Sequence, residues 1–185
     1  MAETVNLKEF LQTHKLGEIH LGQREHDVAA ILGEPDCVGG TSRKYRRPSI
    51  WKYGDIELFF DYQMRQISLI SINFWEDRYP SGGASIQLDP WIIRGGLRPD
   101  ELILQLNKEG IDFCDVEPIN PETRQLLVNS AITMIFNNDH VEYMGNAGLR
   151  KLSLNRPPEP APLPNPSQDA AKGSSASSRR IFPVR

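Results

Sequence analysis

Ile50-Trp51-Lys52-Tyr53-Gly54-Asp55-Ile56-Glu57-Leu58-Phe59-Phe60 is the stretch on which the fold of this chain turns. Two β-rich runs flank Gly54-Asp55, a pair suited to a two-residue hairpin turn with glycine first. Closing that turn pairs Tyr53 with Ile56, Lys52 with Glu57, Trp51 with Leu58 and Ile50 with Phe59. Paired residues project to the same face of a sheet. One face therefore collects Trp51, Tyr53, Ile56, Leu58 and Phe60, and must be the core. The other face carries a Lys52–Glu57 ion pair beside Ile50 and Phe59.

The pattern recurs further along. Ile56-Glu57-Leu58-Phe59-Phe60-Asp61 is echoed by Ile132-Thr133-Met134-Ile135-Phe136-Asn137, and Ile70-Ser71-Ile72-Asn73 by Leu152-Ser153-Leu154-Asn155. A small drift in spacing between echoes is what loop insertions leave between two copies of one supersecondary unit. Helical patterns precede both copies. Leu7, Phe10 and Leu11 share one face behind Asn6 as N-cap, with Gly17 closing the segment; Val28, Ile31 and Leu32 form a second stripe stopped by Gly33 and Pro35. In the second half Pro99 opens a helix with Leu102, Ile103 and Leu106 on its buried stripe and Gly110 as C-cap.

Residues 37–48 read as loop or edge structure. A third strand, Gln66 to Trp75, points Ile70, Ile72 and Phe74 inward and Ser71 and Asn73 outward; the phase change between Ile67, Leu69 and Ile70 predicts a bulge. Residues 121–128 fit a helix or a strand, and the echo with 45–53 selects strand. The expected fold is α+β: two tandem helix-plus-antiparallel-sheet units in two layers, residues 1–78 and 92–155. A connector, 79–91, holds Tyr79 and Trp91 and is expected to pack on the body. The Pro-rich, then Ser-rich tail, 156–185, has too few large apolar side chains to offset its ordering entropy and is expected to be disordered.

Composition narrows the function classes. Hydrophobic residues make up 39% of the chain, and the deficit lies largely in that tail, so the remainder has enough apolar mass for a core. A net charge of −3 with interspersed signs gives no general electrostatic reason to bind nucleic acid. The start of the chain is polar and acidic where a signal peptide needs a basic and then apolar run. No stretch approaches the roughly 20 apolar residues needed to cross a bilayer, so a cytoplasmic protein is expected. Cys37 and Cys114 are too few for a disulfide framework, which leaves either idle thiols or one bridge between the halves.

A helix, then Leu32-Gly33-Glu34-Pro35, then the Ile50–Phe60 hairpin and an Ile-rich strand is similar to the helix–helix–sheet module of beta-lactamase inhibitory protein. It also resembles the small lipoprotein of the outer-membrane assembly machinery. In those families a Leu-Gly-x-Pro turn follows the second helix and an aromatic-x-Tyr strand enters the sheet, here Trp51-Lys52-Tyr53. The inhibitory protein carries its module in tandem. The chain also resembles uncharacterised bacterial immunity-type proteins. The departures are a missing signal peptide, lipobox cysteine and disulfide pairs, so an exported role is not carried over. What the resemblance implies is a non-catalytic protein-binding role on the outer surface of the sheet.

Catalytic chemistry finds little support. His14, His20 and His26 recur six residues apart, roughly 600° around a helix, which cannot gather them on one metal; His140 stands alone. Neither a nucleophile elbow nor a phosphate-binding glycine loop is present. Asp55, Glu57 and Asp61 are read as structural. The expectation is no enzyme, no cofactor and no metal. Arg43 to Arg47, with Tyr45 inside, is either a solvated loop or a patch for phosphates or an acidic partner; Arg179 to Arg185 is either a short binding motif or an arbitrary terminus.

The outward face of the sheet carries the functional expectation. Ile50 and Phe59 point outward, and the repeat equivalents Leu126, Val128 and Ile135 are expected to join them. Apolar residues on a wet face need cover, whether from a partner, a second protomer, or the connector with Trp75 and Trp91. The expected partner site is Ile50, Phe59, Trp75, Tyr79, Trp91 and Ile135, recognising a protein partner of unknown identity as an inhibitor or immunity-type module. Two alternatives stand: a small-ligand or structural domain using the groove between the units, and a weak nucleic-acid binder through Arg43–Arg47.

Overall fold

In the computed structural model, which describes residues 3–41, 43–44, 46–137 and 148–155, the chain begins with β1 (Glu3–Asn6), α1 (Leu7–Thr13) and α2 (Glu25–Leu32). Four strands follow: β2 (Cys37–Gly39), β3 (Ile50–Tyr53), β4 (Ile56–Phe60) and β5 (Ile67–Asn73). After β6 (Ile86–Asp89) and α3 (Pro99–Glu109) come β7 (Phe113–Val116), β8 (Thr123–Val128), β9 (Ile132–Asn137) and β10 (Gly148–Asn155). The fold is α+β and dominated by one antiparallel sheet of eight strands in the order β2-β3-β4-β5-β10-β9-β8-β7. β1 and β6 form a separate parallel pair.

The hairpin closes in the expected register, Tyr53 opposite Ile56 and Ile50 opposite Phe59. Gly54 takes the left-handed φ of 58° that the first position of such a turn requires. The expected bulge falls on Ser68: Phe60 pairs with Ile67 but Phe59 with Leu69. The Ser68 hydroxyl donates to the Phe59 carbonyl at 3.1 Å. That insertion is why the apolar phase changes along β5. Lys52 Nζ lies 3.6 Å from Glu57 Oε1.

The helix caps follow from the sequence with one exception. Asn6 accepts from the Glu9 N–H at 3.1 Å, and Gly110, at φ 65°, closes α3 with its N–H on the Leu106 and Asn107 carbonyls. α1 ends at Thr13, earlier than Gly17, because His14 itself takes the left-handed cap at φ 61° and donates to the Phe10 carbonyl. Gly17 instead turns the short Leu16–Ile19 bridge. The buried residues of all three helices (Leu7, Phe10 and Leu11; Val28 and Leu32; Leu102 and Leu106) join one cluster with the inward residues of the strands. Tyr53 is buried in it and donates to the Gly33 carbonyl at 3.0 Å; burial, with Asp36 nearby, pushes its phenol up to about 12. Trp51 meets Phe60 edge-on at 5.0 Å.

Residues 79–91 pack on the body, as β6 beside β1 and through the loop before it. Asp55 in the hairpin turn accepts from both terminal nitrogens of Arg78, each at 3.0 Å, and from the Ser81 N–H at 2.8 Å. From the other side the Asp36 carboxylate accepts the Gly54 N–H at 2.8 Å. The fit is close: a Cβ on Gly54 would meet Ser81 O at 2.4 Å, and one on Gly83 would meet Asp36 Oδ2 at 2.0 Å.

Two expectations are corrected, and one open alternative, the cysteine bridge, is closed. Residues 123–128 are strand, but Leu126 and Val128 point inward and are fully buried, because Leu126 pairs with Met134 and Gln125 with Ile135. Gln125 and Leu127 therefore share the outward face with Ile135. A bridge between Cys37 and Cys114 is ruled out, since they lie on β2 and β7, the opposite edges of the sheet. β1 and β6 extend the architecture beyond the expected helix-plus-sheet units. The tail expected to be disordered, residues 156–185 with Arg179–Arg185, and His140 lie outside the described residues.

Candidate functional site

Following the pairing register across the sheet defines its outward face row by row. One row runs Gly39, Ile50, Phe59, Leu69 and Asn155; a second runs Asn73, Lys151, Ile135, Gln125 and Val116. Between them lies a row of mostly polar residues, with Lys52, Glu57, Ser71, Ser153 and Thr133. The alternation follows from the period-2 pattern: residues that flank each buried one along a strand point the other way. Ile50, Phe59, Leu69, Leu127 and Ile135 are each half-buried, and none belongs to the core cluster or packs against it.

The structure thus brings Ile50 and Phe59 into direct register and adds Leu69 as a third apolar neighbour. Leu69 was readable as outward once the bulge was placed. Ile135 shares the face but lies in the other row, flanked by Lys151 and Gln125.

The connector aromatics are elsewhere. Trp91 and Tyr79 line a shallow groove of about 280 Å³ with Arg94, Glu101 and the exposed Leu104 of α3. The Lys8 ammonium stands 6.0 Å from the Trp91 ring centroid. Trp91 therefore packs beside the helices and does not fold across the sheet's outward face. Trp75, just past β5, is half-exposed, with the Arg150 guanidinium 5.7 Å from its ring. The six expected residues fall into a sheet-face group (Ile50, Phe59, Ile135), a helix-side pair (Tyr79, Trp91) and Trp75 by itself.

Comparison with protein-family models, curated proteins and solved structures gave no match. The reading of function therefore rests on the geometry of this chain.

The ion pairs that shift pKa values lie on the helix side of the sheet and are structural. Glu25 on α2 accepts from Arg65 Nε at 2.9 Å, and that hydrogen bond, against the cost of burial, holds its carboxyl below the ordinary glutamate value. Arg47 reaches the same carboxylate at 3.7 Å, so one cation of the Arg43–Arg47 run is engaged internally. Tyr45 lies outside the described residues. Arg124 binds Asp115 through two nitrogens at 2.8 and 3.1 Å, lowering that carboxyl and raising the guanidinium. Among the described residues there is no group of three or more His, Cys, Asp or Glu placed to hold a metal ion, and no helix is long and apolar enough to cross a membrane.

Proposed function

We propose that this chain is a non-catalytic protein-binding module that recognises a partner through the outward face of its sheet, in the manner of an inhibitor or immunity-type protein. One observation carries the reading. The inward strand residues and the helices form a single core, while among the described residues Ile50, Phe59, Leu69, Leu127 and Ile135 on the opposite face lie outside that core and are only half-buried. Apolar side chains held rigidly on a sheet, interleaved with polar ones, suit a partner whose affinity rests on a few buried anchors. Such a protein acts by occupying its partner's surface, in the cytoplasm, and needs no cofactor.

The tandem-unit reading belongs with this proposal. The sheet order places β2 to β5 on one side and β7 to β10 on the other in mirrored sequence, joined at β5–β10, with a helix ahead of each set. That arrangement supports two copies of one helix-plus-sheet unit, 1–78 and 92–155, and with them the resemblance to tandem inhibitory modules.

Affinity capture from the host lysate with wild type and Phe59→Asp tests the proposal, followed by hydrogen exchange on the reconstituted pair. The expected result is one stoichiometric partner, lost by Phe59→Asp at unchanged stability, with protection confined to the outward-facing strands. A partner retained by Phe59→Asp and footprinting on the Tyr79–Trp91 groove would overturn the sheet-face reading. So would a Phe59→Asp protein that fails to fold, since that side chain would then be core.

A further inference from the structure

Where β9 begins and β10 ends, a cavity of about 600 Å³ opens between two distant parts of the chain. One wall is the segment after α1, with His14, Lys15, His20 and Leu21; the other is the β8–β9 turn and the adjoining strand ends, with Ala131 and Leu154. The size suits a small organic molecule.

Its lining has a consistent chemistry. Although the chain is acidic overall, the described residues lining this cavity include no Asp or Glu, while His14, Lys15 and His20 are among them. His14 Nε2 is buried and has no hydrogen-bond partner among the described residues; buried polar atoms of this kind ordinarily have one. His20 Nδ1 lies 2.9 Å from the Leu21 carbonyl. A carbonyl only accepts, so Nδ1 carries a proton, and Nε2 donates to an anionic group in the imidazolium form. Leu21, Ala131 and Leu154 supply an apolar floor.

The walls are also fixed relative to one another. The Asn129 side-chain amide donates to the Leu11 and Gln12 carbonyls at 3.3 and 2.9 Å, tying the β8–β9 turn to the end of α1. His14, Asn129 and Ser130 all hold left-handed backbone, at φ 61°, 48° and 59°. His14 does so as the cap of α1, and Asn129 and Ser130 as the central pair of the turn that the Ala131 N–H closes on the Val128 carbonyl, so local structure sets the backbone of both walls.

We infer that this cavity binds a small amphipathic carboxylate, its apolar body on Leu21, Ala131 and Leu154 and its charge among His14, Lys15 and His20. The site is independent of the sheet-face reading and would serve the protein as a sensor or carrier of such an acid.

The test is titration of the full chain with octanoate, read by the imidazole NMR signals and by thermal shift, against octanamide and inorganic phosphate. Octanoate is expected to move the His14 and His20 signals saturably, to leave His26 in place and to raise the melting temperature. Octanamide, lacking the charge, and phosphate, lacking the apolar body, should bind at least about tenfold more weakly. His14→Asn keeps a residue that tolerates left-handed backbone and should fold as wild type yet bind octanoate about tenfold more weakly; Lys15→Gln, at an exposed position, serves as the second variant. Octanamide binding as well as octanoate, both variants binding as wild type, or no saturable response of His14 and His20 would each overturn the assignment. Phe59→Asp should bind octanoate normally, which separates failure here from failure of the sheet-face proposal.

Discussion

Cys37 and Cys114 stand at the two ends of a single cross-strand row. The register runs Cys37, Lys52, Glu57, Ser71, Ser153, Thr133, Leu127, Cys114, one residue from each of the eight strands. With strands about 4.8 Å apart, the two thiols are on the order of 30 Å from each other. A disulfide needs Cα atoms within about 7 Å. Both cysteines are exposed, so both should react with a thiol reagent in the native protein. Mild oxidation at low concentration should leave the monomer with two free thiols by mass; an intrachain bridge would mean the two edges are not where the register puts them.

Leu58 and Phe59 are adjacent in sequence and opposite in consequence. Leu58 is fully buried and Phe59 half-buried on the outward face. Leu58→Asp should abolish the cooperative thermal transition, because it buries an unpaired charge. Phe59→Asp should cost about 1 kcal/mol or less by denaturant titration, the scale of a change on a partly exposed strand face. Equal losses in the two variants would sink the assignment of faces.

The Asp55–Arg78 pair fastens the hairpin turn to the loop before β6. Asp55→Ala leaves Arg78 and the Ser81 N–H without their acceptor. It should cost about 2–3 kcal/mol, as expected when a charged, largely buried acceptor is removed. Limited proteolysis should then cut within residues 76–83 faster than in wild type, while the rest of the sheet stays resistant. Unchanged cleavage would show that β6 pairing alone holds the connector.

Glu25 makes stability depend on acid. Its hydrogen bond from Arg65 lowers the folded-state pKa below the unfolded value. The unfolded chain therefore takes up this proton at a higher pH than the folded one does. The contribution is complete above the ordinary glutamate value of about 4.3 and is lost as pH falls through the folded value. Glu25→Gln should cost about 1–2 kcal/mol at pH 7, and its gap to wild type should narrow steadily toward pH 3. A gap of constant size across that range would assign the loss to packing instead of charge.

Much of the sheet was legible residue by residue. The Gly54-Asp55 turn, the Lys52–Glu57 pair and the Ser68 bulge are consequences of turn chemistry and a two-residue period, both local. Leu126 and Val128 show the limit. The echo aligned β8 with the first half, but a one-residue slip reverses every side chain of a strand, and only pairing with β9 fixed it. β1 and β6 escaped because each is short, and Glu-Thr-Val-Asn carries no apolar alternation to announce it. Of the site, Ile50 and Phe59 were readable from the hairpin itself. Trp91 was not, since nothing near it says which layer it joins.

What the sequence by itself determined was the set of elements, their caps and the inward or outward sense of the hairpin. These depend on contacts between residues close along the chain. Only the tertiary structure decided that β5 pairs with β10, that Cys37 and Cys114 occupy opposite edges, and that His14 and Ala131 share a cavity. A strand edge offers the same N–H and C=O groups whatever its side chains. The choice of distant partner is made by the packing of the whole core, which no local pattern records.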